Sequence, residues 1–167
     1  MTDNKLFLSY IDIENYCCGI GQEILISNWS PEYIVGLTRG GLLPANLLSQ
    51  FLEVPMVSLD VSLRDHSELL KESNCWMAED ALDGKKILIV DDINDSGATL
   101  EWIINDWKNN NRPKSPEWNN IFGNTVRFAV MVNNEASNFK DVSYLGSTVN
   151  KDERDVWVEF PWENWWK

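Results

Sequence analysis

Residues 86–99 of this 167-residue chain read Lys-Ile-Leu-Ile-Val-Asp-Asp-Ile-Asn-Asp-Ser-Gly-Ala-Thr, and they are the clearest indication of its fold class. The apolar run 86–90 predicts a buried strand, and residues 91–97 predict a turn. Apolar residues then recur at helical spacing, at Leu100, Ile103, Ile104 and Trp107. Small side chains let successive backbone N–H groups converge where a helix begins, so residues 95–99 suit a phosphate group.

The same order of strand, glycine-containing turn and helix occurs earlier in the chain. Residues 33–37 predict a strand, and Thr-Arg-Gly-Gly at 38–41 predicts a turn before a helix over 42–51. Further predicted elements are a helix capped by Ser9 and Asp12 that ends near residues 27–28, and strands over 55–61 and 125–132. Strands that alternate with helices predict one α/β domain over residues 1–167, with a mostly parallel central sheet flanked by helices.

Two polar connections separate these elements. Residues 62–84 predict a long loop or a partly helical excursion, and long loops in compact domains are often functional. Residues 109–120 end the helix that follows the turn and predict a surface connection.

The composition limits what the chain can bind. Fourteen basic and 26 acidic residues give a net charge of −12 at pH 7, which argues against contact with nucleic acid or an anionic membrane. Three cysteines are too few for a disulfide framework, and we find no signal-peptide pattern and no apolar run of membrane-spanning length. We therefore expect a cytoplasmic protein that binds an anion only locally, through backbone N–H groups, a metal ion or a few basic side chains.

The acidic pair Asp91 and Asp92 directly follows the predicted strand. Ligands of open α/β sheets bind beyond the carboxyl ends of the strands, which places this pair beside the predicted phosphate turn. Because carboxylates repel a bare phosphate, the pair suits ribose hydroxyls or a magnesium-bound anion. A solvated acidic turn that merely caps a helix is the alternative.

Residues 87–99 resemble the phosphoribosyl-pyrophosphate signature of the type I phosphoribosyltransferases: four apolar residues, two acids, a spacer, then Asp-Ser-Gly-Ala-Thr. The resemblance implies transfer of the phosphoribosyl group from phosphoribosyl pyrophosphate (PRPP) to a base, with Mg²⁺ as cofactor. It implies that Asp91 and Asp92 hold the ribose hydroxyls, that Asp92 reaches the metal, and that Asp95 is catalytic and accepts a proton from the base. The 5′-phosphate would bind Ser96, Gly97, Ala98 and Thr99.

A second segment, Ile34 to Pro44, resembles the pyrophosphate loop of the same family. In this loop Arg39 would face the diphosphate, while Gly40 and Gly41 would let backbone N–H groups approach it. Arg39 as a plain surface charge is the alternative, but its place directly after a predicted strand favours binding.

Residues 155–163 resemble the closing segment of xanthine–guanine phosphoribosyltransferases, which points to guanine, xanthine or hypoxanthine as the base. Trp157 would cover the purine ring and the backbone of Val158 would meet the base edge. Residues 133–167 would thus contribute to a small base-binding hood built from the terminal segments. Trp162, Trp165 and Trp166 are predicted instead to pack in the core or at an oligomer interface, since relatives are homodimers or homotetramers.

The chain departs from the family in two places. Leu63 stands where relatives have a Tyr in their flexible catalytic loop, and His66 nearby is predicted to have no chemical role. Asn133 and Asn134 follow a predicted strand where purine-specific relatives have a Lys that reads the 6-oxo group. An Asn amide can donate to an oxo group or accept from an amine, so Asn133 is predicted to contact the base without fixing which base it is.

Two other functions stay open on this evidence. A regulator of the same fold would bind PRPP or a nucleotide without turnover, which the missing Lys and Tyr allow. A metal-dependent phosphatase using Asp91 and Asp92 is disfavoured, because it gains nothing from the phosphate turn at 95–99.

Overall fold

The computed structural model describes residues 4–61 and 75–167, and a parallel sheet of five strands forms its centre. In chain order the elements are β1 (Lys5–Phe7), α1 (Tyr10–Ile26), β2 (Tyr33–Leu37), α2 (Leu42–Leu52), β3 (Met56–Leu59), α3 (Cys75–Leu82), β4 (Ile87–Asn94), α4 (Ala98–Asn110), a 3-10 helix (Pro116–Asn120), β5 (Val126–Asn134), β6 (Tyr144–Val149) and β7 (Trp157–Glu159). No helix within the described residues has both the length and the apolar composition needed to cross a bilayer.

The central sheet has the strand order β3-β2-β4-β5-β6, and every pairing is parallel. Side chains of β4 alternate between two cores. Ile87 and Ile89 pack with residues of α3 and α4, while Leu88 and Val90 pack with residues of α1 and α2. Both faces of the strand are therefore buried, which explains its unbroken apolar sequence. The predicted parallel sheet flanked by helices is confirmed.

Helix α1 begins as its sequence predicts. The Oγ of Ser9 accepts a hydrogen bond from the backbone N–H of Asp12, and the Asp12 carboxylate accepts one from the N–H of Ser9. This reciprocal pair satisfies N–H groups that have no acceptor within the helix. The helix ends at Ile26, next to the predicted end.

The terminal segments form a second, two-stranded sheet. Strand β1 pairs in parallel with β7, with Lys5 opposite Trp157 and Phe7 opposite Glu159. Strands β1, β6 and β7 were not predicted from the sequence. The strands β1 and β7 have three residues each, and neither forms without its distant partner.

Strand β4 is longer than predicted, and this corrects the placement of the acidic pair. The sequence predicted a turn from residue 91, but the strand continues through Asn94 because β5 continues through Asn134 and supplies pairing partners. Asp91 lies opposite Val130, and Asn94 lies opposite Asn133. The turn itself is confined to residues 95–97.

The two connections differ from their predictions in part. Residues 75–82 form α3, in keeping with a partly helical excursion, and residues 62–74, with Leu63 and His66, lie outside the described residues. Trp118 is buried and stacks on Phe122 with ring centroids 5.8 Å apart. The predicted surface connection is confirmed for most of residues 112–120, which are exposed, and is wrong for Trp118, whose side chain joins the core.

Candidate active site

The turn between β4 and α4 is shaped by a glycine. Gly97 has a φ of +91°, and a Cβ there would lie 2.6 Å from the Cβ and the backbone N of Phe139. The carbonyl of Ser96 accepts a hydrogen bond from Asn138 N–H at 3.1 Å, and the Oγ of Ser96 accepts one from Ala98 N–H. The turn is thus fixed against the 137–139 segment, and it presents the N-terminus of a 13-residue helix. Such a helix end favours a phosphate group.

Asp92 lies at the carboxyl end of β4, pressed against the loop that follows β2. A Cβ on Gly40 would lie 1.9 Å from Oδ2 of Asp92, so a side chain at position 40 would force this carboxylate to move. Its Oδ1 accepts a hydrogen bond from Ile93 N–H at 2.8 Å. Burial raises the pKa of Asp92, and the nearby carboxylate of Glu163 raises it further. Asp92 is therefore a carboxylate whose charge the surrounding protein disfavours.

The loop that follows β2 is tied to the ends of both neighbouring strands. Thr38 donates from its backbone N to Leu59 O at 3.0 Å and from its Oγ1 to Asp60 Oδ1 at 2.6 Å. Gly41 donates its N–H to Leu37 O at 2.9 Å, and a Cβ on Gly41 would lie 2.3 Å from Val90 O. The loop is anchored on both sides.

Arg39 lies in this anchored loop. The peptide bond between Thr38 and Arg39 is cis, and the side chain of Arg39 is exposed at the carboxyl edge of the sheet. The structure thus brings the segment of Arg39 and Gly40 next to Asp92, although the two stretches lie far apart in the sequence.

Asp95 forms an ion pair that the sequence did not reveal. The Nζ of Lys151 lies 2.9 Å from each carboxylate oxygen of Asp95. Asn134, which is only 6% exposed, donates its amide to Asp95 O at 3.0 Å and accepts from the backbone N–H of Lys151 at 3.1 Å. Asn134 therefore holds both partners in place and is itself fully engaged by protein atoms.

The side-chain amide of Asn133 has an oxygen that accepts hydrogen bonds and an NH₂ group that donates them, and the protein engages the oxygen. Its Oδ1 accepts a hydrogen bond from the amide of Asn94 at 2.8 Å. The amide orientation of the buried Asn94 is set by Phe139 O, to which it donates, and by Ser137 Oγ, from which it accepts. The acceptor of Asn133 is therefore used, and its NH₂ group is the function left to meet a ligand.

Trp157, which was predicted to cover the purine ring, lies on the second sheet. Trp157 is 52% exposed, and its ring centroid lies 6.0 Å from Lys151 Nζ, whereas Val158 is buried. Trp162 stacks on Phe160 at 5.0 Å and packs against the core, as predicted. The side chains of Trp165 and Trp166 are exposed, so the structure excludes them from the core of this chain.

Lys151 and Glu163 are the site residues that sequence reasoning missed. Lys151 follows β6, whose parallel pairing with β5 sets Val149 opposite Asn134 and so brings the next residues to the same sheet edge. A correct prediction of β6 was the signal that could have found it. Glu163 gives no such signal, because its approach to Asp92 depends on the path of the C-terminal segment.

Comparisons with known proteins agree with this geometry. The sequence pattern of the phosphoribosyl transferase domain family matches residues 10–164. Xanthine phosphoribosyltransferase 1 of Saccharomyces cerevisiae is 24% identical over 195 residues, covering 98% of this chain and 92% of that protein. Xanthine-guanine phosphoribosyltransferase of Cereibacter sphaeroides is 31% identical over 133 residues, covering 78% of this chain and 68% of that protein.

Solved structures share the fold. A purine phosphoribosyltransferase from Pyrococcus horikoshii has a TM-score of 0.66 at 22% identity, covering 96% of this chain and 95% of its own. A protein from Neisseria gonorrhoeae with bound ppGpp has a TM-score of 0.70 at 22% identity, covering 98% and 91% of the two chains. Since the family pattern extends over residues 10–164, nearly the whole chain, the chain belongs to the phosphoribosyltransferase family.

Proposed function

We propose that this chain transfers the 5-phosphoribosyl group of PRPP to a purine base, releasing pyrophosphate and forming a nucleoside monophosphate in nucleotide salvage. The observation that carries the proposal is the meeting of the acidic end of β4, its glycine turn and the Arg39 loop at one edge of the central sheet. Trp157, on the second sheet, lies near this edge through Lys151, whose Nζ is 2.9 Å from Asp95 and 6.0 Å from the Trp157 ring centroid. Relatives named as xanthine or hypoxanthine-guanine phosphoribosyltransferases support guanine, xanthine or hypoxanthine as the base.

The PRPP half of the site would be built from β4 and the loop after β2. Ser96, Gly97, Ala98 and Thr99 would bind the 5′-phosphate at the start of α4. Asp91 and Asp92 would accept hydrogen bonds from the ribose hydroxyls. Arg39, with Gly40 and Gly41, would bind the pyrophosphate, because a guanidinium forms paired hydrogen bonds with phosphate oxygens.

The donors near the ribose position fit Mg²⁺. Magnesium takes oxygen ligands and is commonly held by one or two carboxylates together with substrate phosphates. Asp92 would hold it together with oxygens of the substrate, since the described residues form no group of three acidic, His or Cys side chains that could hold a metal ion alone. When bound, Mg²⁺ would neutralise the leaving diphosphate. The raised pKa of Asp92 supports this assignment, since a cation is the partner that a disfavoured carboxylate lacks.

The base half of the site would use residues from β5 onward. Trp157 would cover the purine ring, the backbone of Val158 would meet its edge, and Asn133 would donate from its free NH₂ group. Asp95 would accept the proton that the base loses as its ring nitrogen attacks C1 of the ribose. We assign the base-binding hood to residues 133–167 together with β1, within one domain of residues 1–167.

A regulator that binds without turnover is the less supported function. The named curated relatives are enzymes, and the catalytic candidate Asp95 is held at the site by two independent contacts, from Asn134 and Lys151. A chain with a net charge of −12 suits a small anionic substrate bound locally in a cytoplasmic enzyme rather than nucleic acid or a membrane. The exposed Trp165 and Trp166 suit a homodimer or homotetramer interface.

The test is pyrophosphate release from PRPP and Mg²⁺ with guanine, xanthine, hypoxanthine, adenine, orotate and uracil in separate reactions. Calorimetric binding of PRPP is measured alongside. Turnover with an oxopurine is the expected result. Binding of PRPP without turnover on any base would favour the regulator, and absence of PRPP binding would overturn the assignment of residues 91–99.

A further inference from the structure

Helix α1 has aliphatic side chains on both its inner and its outer side. On the inner side, Ile13, Ile20 and Ile24 pack in the core. On the outer side, Ile11 is 67% exposed and Leu25 is 62% exposed, so the described residues leave both side chains open to solvent. Exposed aliphatic side chains that lie together on one surface mark a contact with another molecule.

The two exposed side chains belong to one line along α1. Residues 11, 18 and 25 follow one another at seven positions, close to two helical turns, so Ile11, Cys18 and Leu25 point the same way. Glu14 and Gln22, which are exposed as well, lie about one turn from Cys18 on either side. We call these five residues the α1 stripe. It has a single charged member on a chain whose net charge is −12.

The glycines of α1 separate contacts within the chain from contacts outside it. A Cβ on Gly21 would lie 2.4 Å from the ring of Phe51, so packing inside the chain accounts for this glycine. A Cβ on Gly19 would meet no atom of the described residues within 4 Å, although glycine within a helix is destabilising relative to alanine. Gly19 is exposed beside Cys18, and small residues at this point allow a second helix to approach closely.

The α1 stripe is complementary to itself. When two copies of α1 pack antiparallel about a two-fold axis at Cys18, residues equally far from Cys18 on opposite sides come together. Ile11 of each copy then meets Leu25 of the other. Glu14 lies near Gln22 of the other copy, whose amide can donate to the carboxylate. A basic partner would find a single carboxylate here, whereas a second copy finds a match for every member of the stripe.

We propose that two copies of this chain associate through the α1 stripe, packed antiparallel about a two-fold axis that passes beside Cys18. The proposal does not rest on the proposed function, and it names a surface other than Trp165 and Trp166. One helix of 17 residues offers less contact than the standard interface of about 800 Å² per partner. The association is therefore reversible, with a dissociation constant in the micromolar range.

The first test changes the two ends of the stripe. Ile11→Lys and Leu25→Glu are made separately and together, and Ile11→Lys is also combined with Leu25→Lys. The matched control is Leu145→Lys, since Leu145 is 37% exposed on β6 and lies outside the stripe. Sedimentation velocity at about 1 to 200 μM gives the dissociation constant of each dimer.

Each single variant should raise the dissociation constant of the dimer at least about tenfold, because a charged group would lose its water against an aliphatic side chain. In the combined Ile11→Lys and Leu25→Glu variant, the introduced lysine of each copy faces the introduced glutamate of the other. Its dissociation constant should return to within about threefold of the unmodified value. The variant with two lysines should stay monomeric, and Leu145→Lys should dimerise as the unmodified chain does.

The second test links the two copies at the centre of the stripe. In a Cys75→Ser background the remaining cysteines are Cys17, which is buried, and Cys18, which is exposed. Diamide takes up two electrons and two protons as two thiols form one disulfide, and this requires Cβ atoms about 4 Å apart. Oxidation should give a covalent dimer on a non-reducing gel, and Cys18→Ser should abolish it.

A chain that is monomeric over the whole concentration range would overturn the proposal. So would a dimer whose affinity the single variants leave unchanged, or one that diamide does not link through Cys18, since either would place the contact on another surface. Absence of recovery in the combined variant would overturn the antiparallel register. If a charged variant loses its helical circular dichroism signal, the linking of Cys18 in the otherwise unmodified stripe decides the proposal.

Discussion

Asp92 and Asp95 are three residues apart, yet the fold surrounds them in opposite ways. Asp92 is enclosed against Gly40; burial raises its pKa most, hydrogen bonds with Asp91 and Ile93 lower it in part, and the Glu163 carboxylate raises it further. Asp95 keeps solvent contact and is paired with Lys151. Among the described residues, Asp95 therefore has an ion-pair partner and Asp92 has none. We infer that the Asp92 carboxylate depends on a cation that arrives with the substrate, and that Asp95 is held in place before the base binds.

The largest effect is expected from neutralising the enclosed carboxylate. Asp92→Asn should lower the affinity for PRPP in the presence of Mg²⁺ by at least about 100-fold, because a metal ligand and a ribose contact are lost. The same change should raise the free energy of unfolding by about 1 kcal/mol, since a desolvated charge is removed. Calorimetry and urea unfolding measure the two effects. Asp83→Asn, at an exposed position, is the control. If Asp92→Asn lost stability as well as PRPP affinity, this expectation would be wrong.

Substitution of Asp95, the carboxylate paired with Lys151, should lower turnover and not PRPP affinity. Asp95→Asn should lower kcat by about 100-fold, the size expected when a proton acceptor is lost, and should leave PRPP affinity within about threefold. Steady-state kinetics with a purine and calorimetry with PRPP give the two numbers. Equal losses of turnover and of PRPP binding would show that Asp95 and Asp92 belong to one half of the site and would contradict their separate roles.

Gly40→Ala tests the position of Asp92, because it leaves both carboxylates in the sequence. The added Cβ would overlap Oδ2 of Asp92 and force that side chain to move. We expect about a tenfold loss of PRPP affinity. The ratio of the affinities for IMP and AMP should stay unchanged, because the base half of the site is not altered. Gly19→Ala is the control, since a Cβ there meets no atom within 4 Å.

The smallest effect is the pH dependence of stability. The pKa of Asp92 is raised by burial above its ordinary value of 3.8, so the folded chain binds this proton more tightly than the unfolded chain. Its contribution to the free energy of unfolding therefore falls as pH rises from about 3.8 through the raised value, and it stays low above that value. Asp92→Asn should be most stabilising at neutral pH, and its advantage should shrink on acidification. Urea unfolding between pH 4 and pH 8 measures this, and an advantage that grows on acidification would contradict it.

The fold was largely predictable because its central elements carry local signals. The apolar run of β4, the capping box at Ser9 and the glycine turns at 41 and 97 each depend on neighbours in sequence. Strands β1 and β7 carry no such signal, since each is stabilised by the other across almost the whole chain.

The candidate site divides in the same way. Asp91 to Thr99 form one contiguous stretch, so sequence reasoning found them together. Lys151 and Glu163 reach the two carboxylates only through the tertiary structure. Residues whose roles depend on the path of a distant segment are invisible to spacing arguments, and here they are the residues that distinguish Asp95 from Asp92.

The most direct test of the site is a crystal structure of the chain with Mg²⁺, PRPP and a 6-oxopurine whose attacking ring nitrogen is replaced by carbon, so that no transfer occurs. We expect the ribose hydroxyls at Asp91 and Asp92, the 5′-phosphate at residues 96–99, the metal against Asp92, and the base on Trp157 with its imidazole edge at Asp95. A 5′-phosphate bound away from the start of α4, or a base away from Asp95, would contradict the account.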